Sequence, residues 1–178
     1  MDGADWCVLD IETAGGVFGR KLQGFQLLVT GILWQGKCTF YTSEAGSLRA
    51  LDGMLSAFPG TLVTFNGARF DLPILDEHAA TALGRPLQYP RHYDLLQQIY
   101  RVTGTRISLQ ALALANLGHT KDDWDHSRNA QVWRDAPELL MDHNRADLEL
   151  TAALYELVAR QKPLKIGRQT VLLPTAQQ

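Results

Sequence analysis

Trp6-Cys7-Val8-Leu9-Asp10-Ile11-Glu12 is an apolar run that closes on two acids. It predicts a short strand over residues 6–11, and the Gly15-Gly16 pair just beyond predicts the end of regular structure. Residues two apart on a strand point to the same side, so Asp10 and Glu12 face one spot. Two like charges held together need a counter-cation. The plainer alternative is that one acid caps a turn and the other is solvated.

Beyond this strand, residues 26–34 and 37–42 predict two more, joined in hairpin fashion by Gln35-Gly36, which makes the opening an antiparallel meander. Leu48, Leu51, Leu55 and Phe58 recur at helical spacing over residues 47–58, and Pro59-Gly60 stops that helix. Residues 62–65 return to strand. Helices are predicted over 70–83, 93–102, from a Ser108 cap through Leu117 to Gly118, and over 136–160 up to Pro163. Residues 122–134 are polar, contain Trp and lack a period, which predicts an ordered loop over a rim. The stretch 170–173 either adds a strand or packs against the body.

The 178 residues suit one domain, here expected over residues 1–162, followed by a C-terminal tail over 163–178. The composition carries none of the extremes of disordered or fibrous chains. Cys7 and Cys38 lie in apolar runs without the spacing of a zinc site, which predicts buried free thiols and a reducing setting. Residues 1–5 carry no signal-peptide pattern and no apolar run is long enough for a membrane span, so a cytoplasmic location with no membrane partner is expected. A formal net charge of −2 argues against nucleic-acid binding by bulk electrostatics. Any such contact must come from a local patch or from bound metal.

Two further stretches carry chemistry. Asn66-Gly67-Ala68-Arg69-Phe70-Asp71 follows an apolar strand and opens a helix, the kind of crevice where α/β sheets place ligands. The bland readings are a helix-dipole acid at Asp71 and a turn residue at Asn66. In His143-Asn144-Arg145-Ala146-Asp147, His143 and Asp147 stand four apart on one helix face that continues through Leu150, Leu154, Leu157 and Val158. A carboxylate on an apolar stripe is costly unless it is paired or binds a metal.

Taken together, Asp10-x-Glu12, Asn66-x-x-x-Phe70-Asp71 and Asp147 with a ring four residues before it resemble the three exonuclease motifs of the DEDD superfamily, over residues 6–160. The segments 107–113 and 117–121 resemble the proofreading exonuclease domain of B-family DNA polymerases, and His143-Asn144-x-x-Asp147 with Thr151 is similar to the YprB-like ribonuclease H-like family. The resemblance implies an α/β, ribonuclease H-like three-layer fold, with a mixed sheet of about five strands flanked by helices. It implies that Asp10, Glu12, Asp71 and Asp147 are catalytic and hold two divalent cations, Mg²⁺ or Mn²⁺, a choice that an all-oxygen donor set favours over Zn²⁺. It places His143 at the attacking water, and Thr13, Asn66, Phe70 and Lys121 at the substrate, a single-stranded 3′ end of DNA or RNA.

The departure is at His143, because Tyr is usual in this register and the His subgroup places its His one residue earlier, where Asp142 stands. An imidazole there could still reach the water, and is expected to titrate near its ordinary value of about 6.5. Arg20 and Lys21 could add backbone contact, Asp94 suits a helix cap, and Phe65, Phe70 and Trp124 could stack on bases or pack in the core. The rival reading is a catalytically inactive nucleic-acid-binding or interaction module with the same fold.

Overall fold

The computed structural model describes residues 6–17 and 22–176; Arg20 and Lys21 lie outside the described residues. Strand β1 (Trp6–Val17) pairs antiparallel with β2 (Gln23–Trp34), which pairs antiparallel with β3 (Lys37–Thr42). Helix α1 (Ala45–Ala57) crosses over, and β4 (Thr61–Thr64) returns parallel to β1. Helix α2 (Asp71–Leu83) leads to β5 (Arg91–Asp94), parallel to β4. The mixed five-stranded sheet thus runs β3-β2-β1-β4-β5. It is followed by α3 (Leu95–Thr103), α4 (Leu109–Leu117), a 3-10 turn (His126–Arg128), α5 (Asn129–Asp135) and the long α6 (Pro137–Ala159).

Three layers follow from the alternation of side chains along β1. Cys7, Leu9 and Ile11 point to the cluster formed with Leu48, Leu51 and Leu55 of α1 and Ile74 and Leu75 of α2. Val8, on the opposite face, packs with Leu148, Leu154 and Val158 of α6 and Leu112 of α4. Asp10 and Glu12 share the face of Val8 and so look toward α6. The expected α/β, ribonuclease H-like architecture is what the chain forms.

Three details differ from the sequence expectations. Gly15 and Gly16 do not end β1; both adopt positive φ, 65° and 84°, and the pairing with β2 continues to Val17. A Cβ on Gly16 would come within 2.4 Å of the Phe25 ring, so the glycine admits a close approach rather than a stop. Tyr93 and Asp94 belong to β5 and not to the following helix, because residues 91–94 pair with β4 and Asp94 then caps α3, accepting from Gln97 N at 3.1 Å. Residues 122–134 are not all loop: the 3-10 turn and α5 lie within them, and Trp124, Val132 and Trp133 pack against Ala14, Val29 and Leu140. A seven-residue helix is too short to display a period.

At the C-terminal end, β6 (Leu164–Ile166) and β7 (Gln169–Val171) form a two-stranded hairpin, and Leu164, Ile166 and Leu173 are buried in the cluster around α6. Cys7 is fully buried, with its thiol pushed up to about 12 by desolvation, whereas Cys38 is half-buried; neither forms a disulfide. No described helix is long and apolar enough to cross a membrane.

Candidate active site: an acidic cleft between β1 and α6

Helix α6 delivers its apolar stripe to the sheet, and that stripe carries His143, Asn144, Asp147 and Thr151 into burial beside Leu148, Leu150 and Leu154. Opposite them β1 presents Asp10 and Glu12. One carboxylate oxygen from each of Asp10, Glu12 and Asp147 lies within 4.8 Å of the others. Asp71, the first residue of α2, lines the same cleft, and its Oδ1 accepts from Ile11 N at 3.1 Å, which ties the start of that helix to β1. The cleft has a volume of about 660 Å³ and is also lined by Thr13, Asn66, Phe25, Phe65 and Phe70. Lys121 lines the adjoining cleft of about 590 Å³, which shares Asp10, Asn66 and Asp147.

Burial and mutual repulsion make the four acids reluctant to ionise together. Desolvation, then the charges of Asp71, Asp147 and Glu12, push Asp10 well up. Glu12 is pushed up to about 8, chiefly by desolvation and then by Asp147, against the pull of Lys121. Asp71 is raised to about 7 by desolvation, held back by backbone N–H groups that include that of Ile11. Asp147 is raised by desolvation, with Lys121 opposing. Asp147 Oδ1 is buried and has no hydrogen-bond partner among the described residues. An uncompensated lone pair inside a group of acids is what a bound cation would satisfy.

Amide side chains orient the carboxylates. Asn144 Nδ2 donates to Asp10 Oδ2 at 2.8 Å. Asn129 Nδ2 donates to Glu12 Oε2 at 3.1 Å and to the Thr13 carbonyl at 2.9 Å, and its own Oδ1 accepts from Trp124 Nε1 at 2.7 Å. Asn129 was hidden in the aperiodic stretch. Asn144, fully buried on the α6 stripe, could have been flagged by the reasoning that singles out Asp147.

The Lys121 ammonium donates to Asp147 Oδ2 and, at 3.1 Å, to His143 Nε2. His143 Nε2 is therefore an acceptor, which leaves the ring neutral with its proton on Nδ1. Desolvation first, then Lys121 and His126, lower its pKa to about 3, well under the ordinary value expected from the sequence. Trp124 stacks on the His143 ring with centroids 4.3 Å apart and planes at 17°. His126, which the sequence did not single out, meets the same ring edge-on at 5.5 Å. Asp142, by contrast, is exposed and pairs with Arg145.

Asp94 acts as a brace. Its Oδ1 accepts from Asn66 N at 3.0 Å and its Oδ2 from Ala68 N at 2.9 Å, which holds the turn that places Asn66 at a φ of 68° on the cleft wall. Phe70 meets Phe25 edge to face at 5.2 Å, and both rings line the cleft.

Among solved structures the chain is similar to the family B DNA polymerase from the hyperthermophilic archaeon Pyrobaculum calidifontis. The TM-score is 0.66 at 18% identity, over 86% of this chain and 24% of that one. At that identity the likeness shows the fold, and this chain spans about a quarter of the polymerase's length. No curated protein matches the chain by sequence. The family model of the RNase H superfamily matches residues 7–159, from β1 to the end of α6. By that match the chain belongs to the RNase H superfamily.

Proposed function

We propose that this chain is a metal-dependent 3′–5′ exonuclease that hydrolyses phosphodiester bonds at the 3′ end of single-stranded nucleic acid. Superfamily membership and the acidic cluster suggest a nucleic-acid hydrolase. The 3′ polarity and the use of two ions rest on the resemblance to DEDD exonucleases. The observation that carries the reading is the convergence of Asp10, Glu12 and Asp147, with Asp71 on the same cleft and Asp147 Oδ1 without a partner among the described residues.

The donor set fits the cations. Carboxylate oxygens suit Mg²⁺ or Mn²⁺, and the repulsion that raises the four acids is relieved when divalent charge arrives. Bound there, such ions supply Lewis acidity for in-line attack of water on phosphorus and charge neutralisation for the leaving 3′ oxygen. Asn144 and Asn129 keep the Asp10 and Glu12 carboxylates aimed into the cleft. Phe25, Phe65 and Phe70 offer apolar surface to the terminal bases, as sequence-tolerant stacking requires. Thr13 and Asn66 border the path of the strand. Lys121 is the group to meet a phosphate oxygen once divalent charge satisfies Asp147, and the neutral His143 has an Nε2 lone pair to orient the attacking water.

One observation favours the rival reading of an inactive binding module: the Lys121 ammonium already neutralises Asp147 within the protein. Incubation of 3′- and 5′-labelled single-stranded DNA and RNA with Mg²⁺, Mn²⁺ or chelator separates the two. An exonuclease releases the 3′ label first and only with metal. Binding of either strand without cleavage under any metal supports the inactive module.

A further inference from the structure

We propose a second metal site beside the acidic cleft, formed by Glu12, His126 and His143, that takes a borderline transition cation of the Zn²⁺ or Co²⁺ kind rather than Mg²⁺. One ligand atom from each of the three residues lies within 4.8 Å of the others. The two carboxylate oxygens are divided between the rings: His143 Nε2 is 3.7 Å from Glu12 Oε1, and His126 Nδ1 is 3.8 Å from Glu12 Oε2. With metal–ligand bonds of about 2.0–2.2 Å, two ligands of a tetrahedral ion stand about 3.4 Å apart. Each Glu12–imidazole pair is thus within a few tenths of an ångström of that spacing, and the exposed His126 ring is the ligand free to draw in and close the site.

The surroundings have the form that metal sites take. Glu12 is held by the Asn129 amide and His143 by the stacked Trp124 ring, so two of the three ligands are fixed by neighbours. His126, in contrast, stands on a 3-10 turn with its side chain 66% exposed, which gives the ion a way in and leaves room for water as a fourth ligand. Imidazole nitrogens discriminate. They suit Zn²⁺ and its neighbours, whereas Mg²⁺ prefers oxygen and holds its water tightly. Lys121 is the competitor, because it donates to His143 Nε2; the ion claims that lone pair while Lys121 keeps its bond to Asp147.

The site shares Glu12 and His143 with the proposed reaction, so binding rather than cleavage tests it. Zn²⁺ is titrated calorimetrically into the full metal-free chain, and Co²⁺ is followed by its visible absorption, in the native protein, in His126→Ala and in Asp10→Asn. His126 is exposed, so its replacement leaves the fold intact, which far-ultraviolet circular dichroism checks. The proposal expects Zn²⁺ affinity to fall at least about tenfold in His126→Ala, on the scale of losing one determinant of a metal site. It also expects the strong band of nitrogen-ligated, four-coordinate Co²⁺ to disappear there and to persist in Asp10→Asn. Equal Zn²⁺ affinity in His126→Ala and the native chain, or a Co²⁺ spectrum indifferent to His126, overturns it. A failure of the exonuclease reading appears separately, as absence of cleavage with Mg²⁺ and Mn²⁺, and leaves these titrations unchanged.

Discussion

Asn144 Nδ2 donates to Asp10 Oδ2 at 2.8 Å, joining the last motif of the chain to the first across 134 residues of sequence. The contact exists because β2 offers no side chain between them. A Cβ on Gly31 would come within 1.9 Å of Asn144 Oδ1 and 2.7 Å of Leu148 Cδ1. Gly31→Ala is therefore expected to push α6 off the sheet, to cost about 1–3 kcal/mol as overpacking does, and to lower activity with it. Chemical denaturation measures the first effect; native stability in this variant would show that α6 has slack at the site.

His143 is predicted to act as a neutral group. Its pKa is lowered to about 3, so it carries no charge change between about pH 5 and 8. An acid limb in the rate profile then belongs to the carboxylates, and its midpoint stays in place in His143→Tyr, which is expected to retain measurable activity. His143→Ala should lower the maximal rate about 10²–10⁴-fold, the range of a positioned acid–base group. A midpoint near pH 6.5 that vanishes in His143→Tyr would show instead that the ring titrates during turnover.

The metal-free protein should lose stability as pH rises. Glu12 and Asp71 have folded values of about 8 and about 7, above their ordinary values of 4.5 and 3.8, so the folded chain binds more protons than the unfolded one between those limits. Their stabilising contribution is full below the unfolded values and is lost as pH rises through the folded ones. Below about pH 6.5 the depressed His143 opposes this, so the clean window lies from about pH 6.5 to 8. In chelator, stability is expected to fall there by on the order of 1 kcal/mol per pH unit. Asp71→Asn keeps an acceptor for Ile11 N and should flatten the slope, as should saturating Mn²⁺. A slope that is unchanged in both would mean that these acids do not control it.

Lys121 is expected to support the metal-free fold. Its half-buried ammonium pairs with Asp147, and Lys121→Met leaves that carboxylate without its cation, at a cost of about 1–3 kcal/mol in chelator. Added Mn²⁺ should restore most of the loss, since divalent charge takes over the same task. Thermal unfolding with and without Mn²⁺ checks this, and an equal loss under both conditions contradicts it.

Much of this site was legible because simple periodicities govern it. A repeat of two puts Asp10 and Glu12 on one face of β1, and a repeat of 3.6 puts His143 and Asp147 on the buried stripe of α6. The strands 26–34 and 37–42 and the helix 136–160 were readable for the same reason. What stayed hidden depends on contacts between distant elements. Asn129 and His126 reach Glu12 only because Trp124 and Val132 anchor a short helix against Ala14 and Leu140. The strand Arg91–Asp94 has a polar sequence and becomes a strand through pairing with Thr61–Thr64. Gly15-Gly16 has the look of a stop, yet the Phe25 ring lying over Gly16 shows why the strand continues.

The most direct test of the central claim is the single-turnover rate of 3′-end release as a function of Mn²⁺ concentration, in the native chain, Asp71→Asn and Asp147→Asn. If the four carboxylates hold the cations for in-line hydrolysis, the native rate rises with more than first-order dependence on Mn²⁺ and is abolished by chelator. Both variants should then fall by at least about 10³-fold, as expected when an electrostatic contribution of about 4 kcal/mol is removed. Native rates in Asp147→Asn, or cleavage that persists in chelator, would contradict the account.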